Sequence, residues 1–153
     1  MRRLIALLVL ILCCRALHAA TYLIDPAKGS DDGDGSAAKP WKTLEAVAKS
    51  KKLTSLKGGD VVQLESGYHG DVVFAGDNES TVTIEAAKGA KPQLSRLNIR
   101  AGSNWLVKGL LISPSFAPTP YSDGYMVSFG PENRHGSNYV ELAVISKNGQ
   151  FRF

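Results

Sequence analysis

The sequence predicts an all-β solenoid: a parallel β-helix of short stacked strands that is preceded by one capping α-helix. Between Gly58 and Ser113 the chain consists of short apolar runs, each closed by Gly, Asn, Asp or Pro. Apolar or β-branched positions recur along it about every 20 to 25 residues, as in the series Val62, Thr83 and Leu106, which is the spacing of a solenoid repeat. A single amphipathic stretch with a helical period precedes these strands.

Length and charge limit the classes of protein that fit. A chain of 153 residues suits one domain, and its 15 glycines suit a fold with many turns. Arg2, Arg3 and Arg15 lie in the first twenty residues, which hold no acid, so removing these three from the formal charge of +4 leaves +1. A nearly neutral remainder without a lysine or arginine block predicts no nucleic acid partner.

Residues 1–20 predict a signal peptide. Arg2 and Arg3 give a positive start, Leu4 to Cys14 is an uninterrupted apolar run, and the small residues Ala19 and Ala20 follow. The run is too short to span a bilayer as a permanent helix. We therefore expect an exported protein, in the periplasm, outside the cell or at its surface, with no stable membrane span after cleavage. A retained N-terminal anchor is the alternative.

The exact cleavage site stays open. A cut after Ala19 places Leu17 three residues before the cut, and a cut after Ala20 places His18 there. Neither residue is as small as signal peptidases prefer at that position. The sequence alone therefore does not choose between the two bonds.

The polar segment Lys28 to Pro40 predicts a solvated turn. Asp32 and Asp34 alternate as they do in calcium-binding loops. An EF-hand loop would need Asp where Ser30 stands and Glu where Trp41 stands. We therefore expect no metal site in this segment.

A helical period runs from Trp41 to about Leu53 and predicts the capping helix. Thr43 is suited to the N-cap, and lysines gather toward the C-terminal end, where the helix dipole favours them. Because a solenoid has an apolar end that would otherwise meet water, we expect the helix to cover that end. The residues expected on its buried face are Trp41, Leu44, Val47 and Ala48.

The strands follow in order, and polar or proline-rich segments interrupt them. Trp105, Val107, Leu110 and Ile112 are expected to face inward, with Gly109 at a bend. Residues 114–125 and 131–137 predict loops that project from the stack. The predicted strands are Thr21–Pro26, Val61–Leu64, Val72–Phe74, the runs around Val82, Leu94 and Leu97, Asn104–Ser113, Met126–Phe129 and Tyr139–Ser146.

Four segments carry a resemblance to a known family: PWKTLEAVAK, KGGDVVQLESGYHGDVVF, TVTIEAAKGAKPQLS and NWLVKGLLIS. Their arrangement resembles the N-terminal portion of exported right-handed parallel β-helix proteins of the pectate-lyase-like superfamily, closest to polysaccharide lyases of the alginate-lyase and chondroitinase B type. Gly59, Asp60, Gly67 and Tyr68 occupy that family's Gly-Asp strand and Gly-x-Tyr-like turn, with Tyr68 one residue early. The resemblance covers about Thr21 to Ser146.

The resemblance implies an enzyme that cleaves acidic, uronic-acid polysaccharide by β-elimination. That reaction needs a cation to neutralise the sugar carboxylate and a base to remove the neighbouring proton. In the lyases that the chain resembles, a Lys and an Arg on later rungs take these parts, and calcium assists in some members. The catalytic residues are therefore expected beyond Phe153, so the present residues alone are expected to be inactive, and no cofactor is expected among them. A glycoside hydrolase is the second enzyme class, and a non-catalytic glycan-binding, adhesive or structural β-helix is the alternative.

Five residues are candidates for binding the acidic chain. Arg96, Arg100 and Lys108 lie on or beside predicted strands, and Arg134 and His135 lie in a predicted loop. Ordinary exposed side chains would have the same pattern, so the competing interpretation is that all five are simply solvated.

The last predicted strand, Tyr139 to Ser146, is followed by a turn and then by Phe151, Arg152 and Phe153, where a further rung would begin. No cap follows it, and an open stack end is an aggregation hazard. We therefore expect a longer protein of which these are the first rungs. A short protein that dimerises end to end is the alternative.

Overall fold

A computed structural model describes residues 19–119, 126–129 and 139–142. The predicted leader, apart from its last two residues, lies outside this part of the chain, as do Arg134 and His135. The named strands form one curled sheet in which every ladder is parallel, with the order β1-β2-β4-β6-β5-β3 and with β7 and β8 also paired with β6. This is the arrangement of a β-helix-like solenoid. The strands are β1 (Thr21–Ile24), β2 (Val61–Leu64), β3 (Gly67–Tyr68), β4 (Asp71–Ala86), β5 (Pro92–Leu94), β6 (Arg96–Ile112), β7 (Val127–Phe129) and β8 (Tyr139–Leu142).

The first ladder stacks β1, β2, the end of β4, the middle of β6, and β8. In it Val62 lies opposite Ile84, which lies opposite Val107. Thr83 lies opposite Val61. The series predicted from the sequence, in which Val62 was followed by Thr83, is therefore wrong by one residue. Because side chains alternate along a strand, this offset decides which of them face the core.

Two shorter ladders complete the curl. The start of β4 stacks on the start of β6, which stacks on β7, and β3 stacks on β5, which stacks on the end of β6. β4 and β6 are long because each continues around a corner, where the pairing shifts in register. At that corner Asn104 has a φ of +60° and donates its side-chain amide to the carbonyl of Asn78 at 2.7 Å. Asn adopts this left-handed backbone more readily than other side chains do.

The core is an apolar column inside the curl. Val62, Ile84 and Val107 are fully buried and stack in register. Phe74 packs edge-on against Trp105, with ring centroids 4.8 Å apart. The prediction that four residues of β6 face inward is confirmed, since each is at most 1% exposed: Trp105, Val107, Leu110 and Ile112.

The helix is shorter than predicted. α1 spans Leu44–Lys49 instead of residues 41–53, and the 3-10 helix Lys52–Ser55 follows it. Thr43 is the N-cap as predicted, and its hydroxyl accepts from the Ala46 N–H at 3.1 Å. Lys51 has a φ of +59°, and this left-handed residue ends the helical run. Three residues of the predicted apolar face, Trp41, Leu44 and Val47, are buried within the core cluster, and the fourth, Ala48, is partly buried against it.

The predicted polar turn before the helix covers the outer edge of β1. The Leu23 N–H donates to the Gly35 carbonyl at 2.7 Å, the Trp41 N–H donates to the Leu23 carbonyl at 3.0 Å, and the Asp25 N–H donates to the Trp41 carbonyl at 2.9 Å. The Trp41 ring stacks on Tyr22, with centroids 4.9 Å apart. An edge strand with unpaired backbone groups invites pairing with other chains, and these contacts occupy it.

Candidate functional site

Three side chains form a polar ladder on the outer side of the first ladder of strands. Gln63, Glu85 and Lys108 occupy the same register position in β2, β4 and β6. Adjacent strands lie about 4.8 Å apart, so the three side chains form a row with that spacing. Each residue is half-buried, and each directly follows a core residue that faces the other way, namely Val62, Ile84 and Val107. The fold therefore fixes the position of this polar ladder.

Hydrogen bonds join the members of the polar ladder. The Lys108 ammonium lies 2.9 Å from one Glu85 carboxylate oxygen, and the Gln63 amide donates to the other at 3.2 Å. The hydrogen bond from Lys108 is the main cause that lowers the pKa of Glu85, burial opposes it, and Gln63 adds to the lowering. Glu85 is therefore an anion at neutral pH.

A shallow cavity of about 430 Å³ adjoins the polar ladder. Lys88, Lys108 and Glu85 are the charged residues of its described lining, and the register of β8 places Glu141 opposite Lys108. Each lysine ammonium has three donors, and the Glu85 contact uses one of those on Lys108. Gly109, at the predicted bend with a φ of +74°, leaves one side of the cavity without a side chain. The cavity therefore offers lysine and amide hydrogen-bond donors to a ligand rich in oxygen.

The predicted binding residues do not lie together. Lys108 belongs to the polar ladder, whereas Arg96 lies on the ladder of β4, β6 and β7, opposite Asp71. The Arg96 guanidinium lies 3.7 Å from the Asp71 carboxylate, and both side chains are more than one third exposed. Arg100 is exposed at the end of the same ladder. Arg134 and His135 lie outside the described residues.

A second cavity, of about 380 Å³, lies between the turn that follows β1 and α1. Lys42, Lys49, Lys52 and Trp41 contribute to its wall. Lys52 donates to the Asp31 carbonyl at 2.6 Å and to the Gly33 carbonyl at 3.2 Å, and its ammonium lies 5.7 Å from the centroid of the Trp41 ring. The lysines at helical spacing are visible in the sequence, but only the fold shows that the turn after β1 packs against them.

The remaining titratable groups that the structure describes are not arranged as a metal site. Among residues 19–119, 126–129 and 139–142, no three His, Cys, Asp or Glu side chains are grouped to hold a metal ion. His69 is fully buried, and its Nε2 lies 2.8 Å from the Glu65 carbonyl. Burial is the main cause that lowers its pKa. His69 therefore holds a turn in place, in agreement with its structural interpretation from the sequence.

Neither a scan of protein-family models nor searches of curated proteins and of solved structures finds a match to the chain. In the part of the chain that the structure describes, no helix has the length and apolar character needed to cross a membrane. The proposals about function that follow therefore depend on the site and on the sequence resemblance.

Proposed function

We propose that the protein is an exported β-solenoid that binds an acidic polysaccharide along the polar ladder, and that β-elimination is its reaction. The observation that carries the proposal is the polar ladder together with its cavity, whose lining includes the donors of Gln63, Lys88 and Lys108. A uronic-acid chain presents carboxylates and hydroxyls at regular intervals, and such groups accept from ammonium and amide donors. A row of fixed polar side chains suits an extended polymer better than a compact ligand.

The charges on the described residues favour a binding role for them. Lys108 forms an ion pair with Glu85, and Arg96 lies beside Asp71, and both side chains carry donors that suit an anionic ligand. The reaction itself rests on the resemblance to polysaccharide lyases of the pectate-lyase-like superfamily. A non-catalytic glycan-binding protein is the second candidate, and the ion pair of Lys108 favours it.

The proposal includes the finer features of the fold. A right-handed β-helix, closed at its N-terminal end by α1 and by the turn that pairs with β1, would present the polar ladder on a rigid wall. This closure is supported by the burial of Leu44 and Val47 in α1. It is also supported by the backbone hydrogen bonds between β1 and the residues Gly35 and Trp41. A rigid wall lowers the ordering cost of binding.

The test measures binding and product formation together. The exported protein is titrated calorimetrically with polygalacturonate, alginate and chondroitin, with neutral dextran as control, and unsaturated products are followed by ultraviolet absorbance. We expect saturable binding to at least one polyuronate and none to dextran. Lys108→Gln should weaken binding about tenfold, the value of one charged hydrogen bond, whereas Lys91→Gln, the same change at an exposed site away from the polar ladder, should not.

Each outcome of this test bears on one part of the proposal. Binding with a rise in absorbance supports the lyase and shows that these residues hold a working catalytic set. Binding without products fits both the non-catalytic protein and a lyase whose catalytic residues lie beyond Phe153, as the resemblance implies. Absence of binding to every polyuronate, or an equal effect of Lys108→Gln and Lys91→Gln, would contradict the polar ladder as the site.

A further inference from the structure

A buried carboxylate lies against the backbone nitrogen of Ala20. Asp60 is 5% exposed, and its Oδ1 accepts from the Ala20 N–H at 2.8 Å while its Oδ2 accepts from the Lys57 N–H at 2.8 Å. The Ala20 carbonyl in turn accepts from the Val61 N–H at 2.8 Å. Ala20 therefore continues the pairing of β1 with β2, and a negative charge faces its nitrogen.

These contacts distinguish the two cleavage sites that the sequence leaves open. A cut after Ala20 would remove both the donor to Asp60 and the acceptor of the Val61 N–H. A cut after Ala19 keeps both bonds, and it turns the neutral donor at Ala20 into an amino terminus. Ala19 itself is exposed, and its loss removes no hydrogen bond of the described strands.

We propose that the leader is removed at the Ala19–Ala20 bond and that the released ammonium of Ala20 pairs with the buried Asp60 carboxylate. The step is a peptide hydrolysis by a peptidase of the signal-peptidase type. Water supplies a hydroxyl to the Ala19 carbonyl carbon, which leaves as a carboxylic acid and ionises. The Ala20 nitrogen takes a proton as the amide bond breaks and a second one from solvent at neutral pH, so that no oxidant or reductant is needed.

The physical consequence is a stronger contact in the processed chain. Before the cut, a neutral amide donates to the Asp60 carboxylate; after it, the donor is an ammonium, so a direct attraction between opposite charges is added to the hydrogen bond. The new ion pair fastens the first strand of the stack at its outermost backbone position. Removal of the leader therefore stabilises β1, the strand whose outer edge is covered by the turn that follows it. This inference uses the predicted leader and is independent of the ligand.

The first measurement is the identity of the mature N-terminus. The full chain is produced in an exporting bacterium, and the exported protein is analysed by N-terminal sequencing and intact mass. We expect a chain that begins at Ala20. A chain that begins at Thr21, at any other residue, or with the leader still attached would overturn the proposal.

The second measurement tests the ion pair. The exported protein is compared by thermal unfolding at pH 7 with a cytoplasmic version that begins at Ala19, in which the nitrogen of Ala20 remains an amide. We expect the form that begins at Ala20 to melt about 3 to 6 °C higher, as a gain of one charged contact implies for a domain of this size. Equal melting temperatures would overturn the pair.

Two variants assign the difference to Asp60. Asp60→Asn should abolish the difference between the two forms, whereas Asp32→Asn, at an exposed acid in the turn after β1, should leave it unchanged. A difference that persists in Asp60→Asn would show that another group holds the ammonium. If Asp60→Asn fails to fold, the N-terminal sequence and the comparison of the two wild-type forms still decide.

Discussion

Replacing Ile84 with alanine tests the register of the stack. Ile84 is fully buried in the column between Val62 and Val107. The change removes three carbons, which at about 0.8 kcal/mol for each buried CH₂ gives about 2.4 kcal/mol, and the remaining cavity brings the loss to about 3 to 4 kcal/mol. A domain of ordinary stability, about 5 to 15 kcal/mol, would lose a large share of its free energy of unfolding.

The matched control is Thr83→Ala, one residue earlier in the same strand. Thr83 is half-buried and faces away from the core, so we expect a loss below about 1 kcal/mol. Urea unfolding followed by tryptophan fluorescence gives both values, and an unchanged slope shows that the unfolded state is comparable. If Thr83→Ala were the more damaging change, Val62 would pair with Thr83 as the sequence series suggested, and the structural register would be refuted.

Three further predictions concern single contacts. Burial lowers the pKa of His69 in the folded state, so only the unfolded chain takes up a proton as the pH first falls below about 6.5. The free energy of unfolding should therefore decline from about pH 6.5 down to the pKa of His69 in the folded state. His69→Gln, which keeps a donor toward Glu65, should flatten this decline when urea unfolding is measured at several pH values. Gly70→Ala should lower the melting temperature more than Gly89→Ala. Both glycines have a positive φ, but only at Gly70 would a new methyl group meet the Glu45 side chain of α1. Equal losses in melting temperature would contradict the packing of α1 against this turn. Lys108→Gln should raise the pKa of Glu85 in an NMR titration while changing the free energy of unfolding by less than about 1 kcal/mol, and an unmoved Glu85 pKa would argue against the ion pair.

The strands could be predicted from the sequence because their signal is local. Alternation and glycine punctuation marked β2, and the run from Asn104 to Ser113 marked the inward residues Trp105 and Val107. The register between strands could not be predicted in the same way, because neighbouring rungs differ in length and the spacing from Val62 to Ile84 is 22 residues while that from Ile84 to Val107 is 23. A shift of one residue in register exchanges the inward-facing and outward-facing side chains of a strand.

The site was only partly predictable for a related reason. Lys108 was identified as a polar residue on a strand, but Gln63 and Glu85 lie 45 and 23 residues before it, and only stacking brings the three together. Arg96 carried the same signal as Lys108, yet it faces another ladder. The helix was overestimated because the lysines after Lys49 continue the helical composition, whereas the left-handed backbone at Lys51 ends it.

The most direct test of binding at the polar ladder is an NMR titration of the folded, isotopically labelled protein with a short oligogalacturonate. We predict that amide shifts cluster at Gln63, Glu85 and Lys108, with the side-chain amide of Gln63 among those that move. Shifts concentrated instead at the lysine cavity beside α1, around Lys42 and Lys52, or shifts at none of these positions, would contradict the polar ladder as the polysaccharide site.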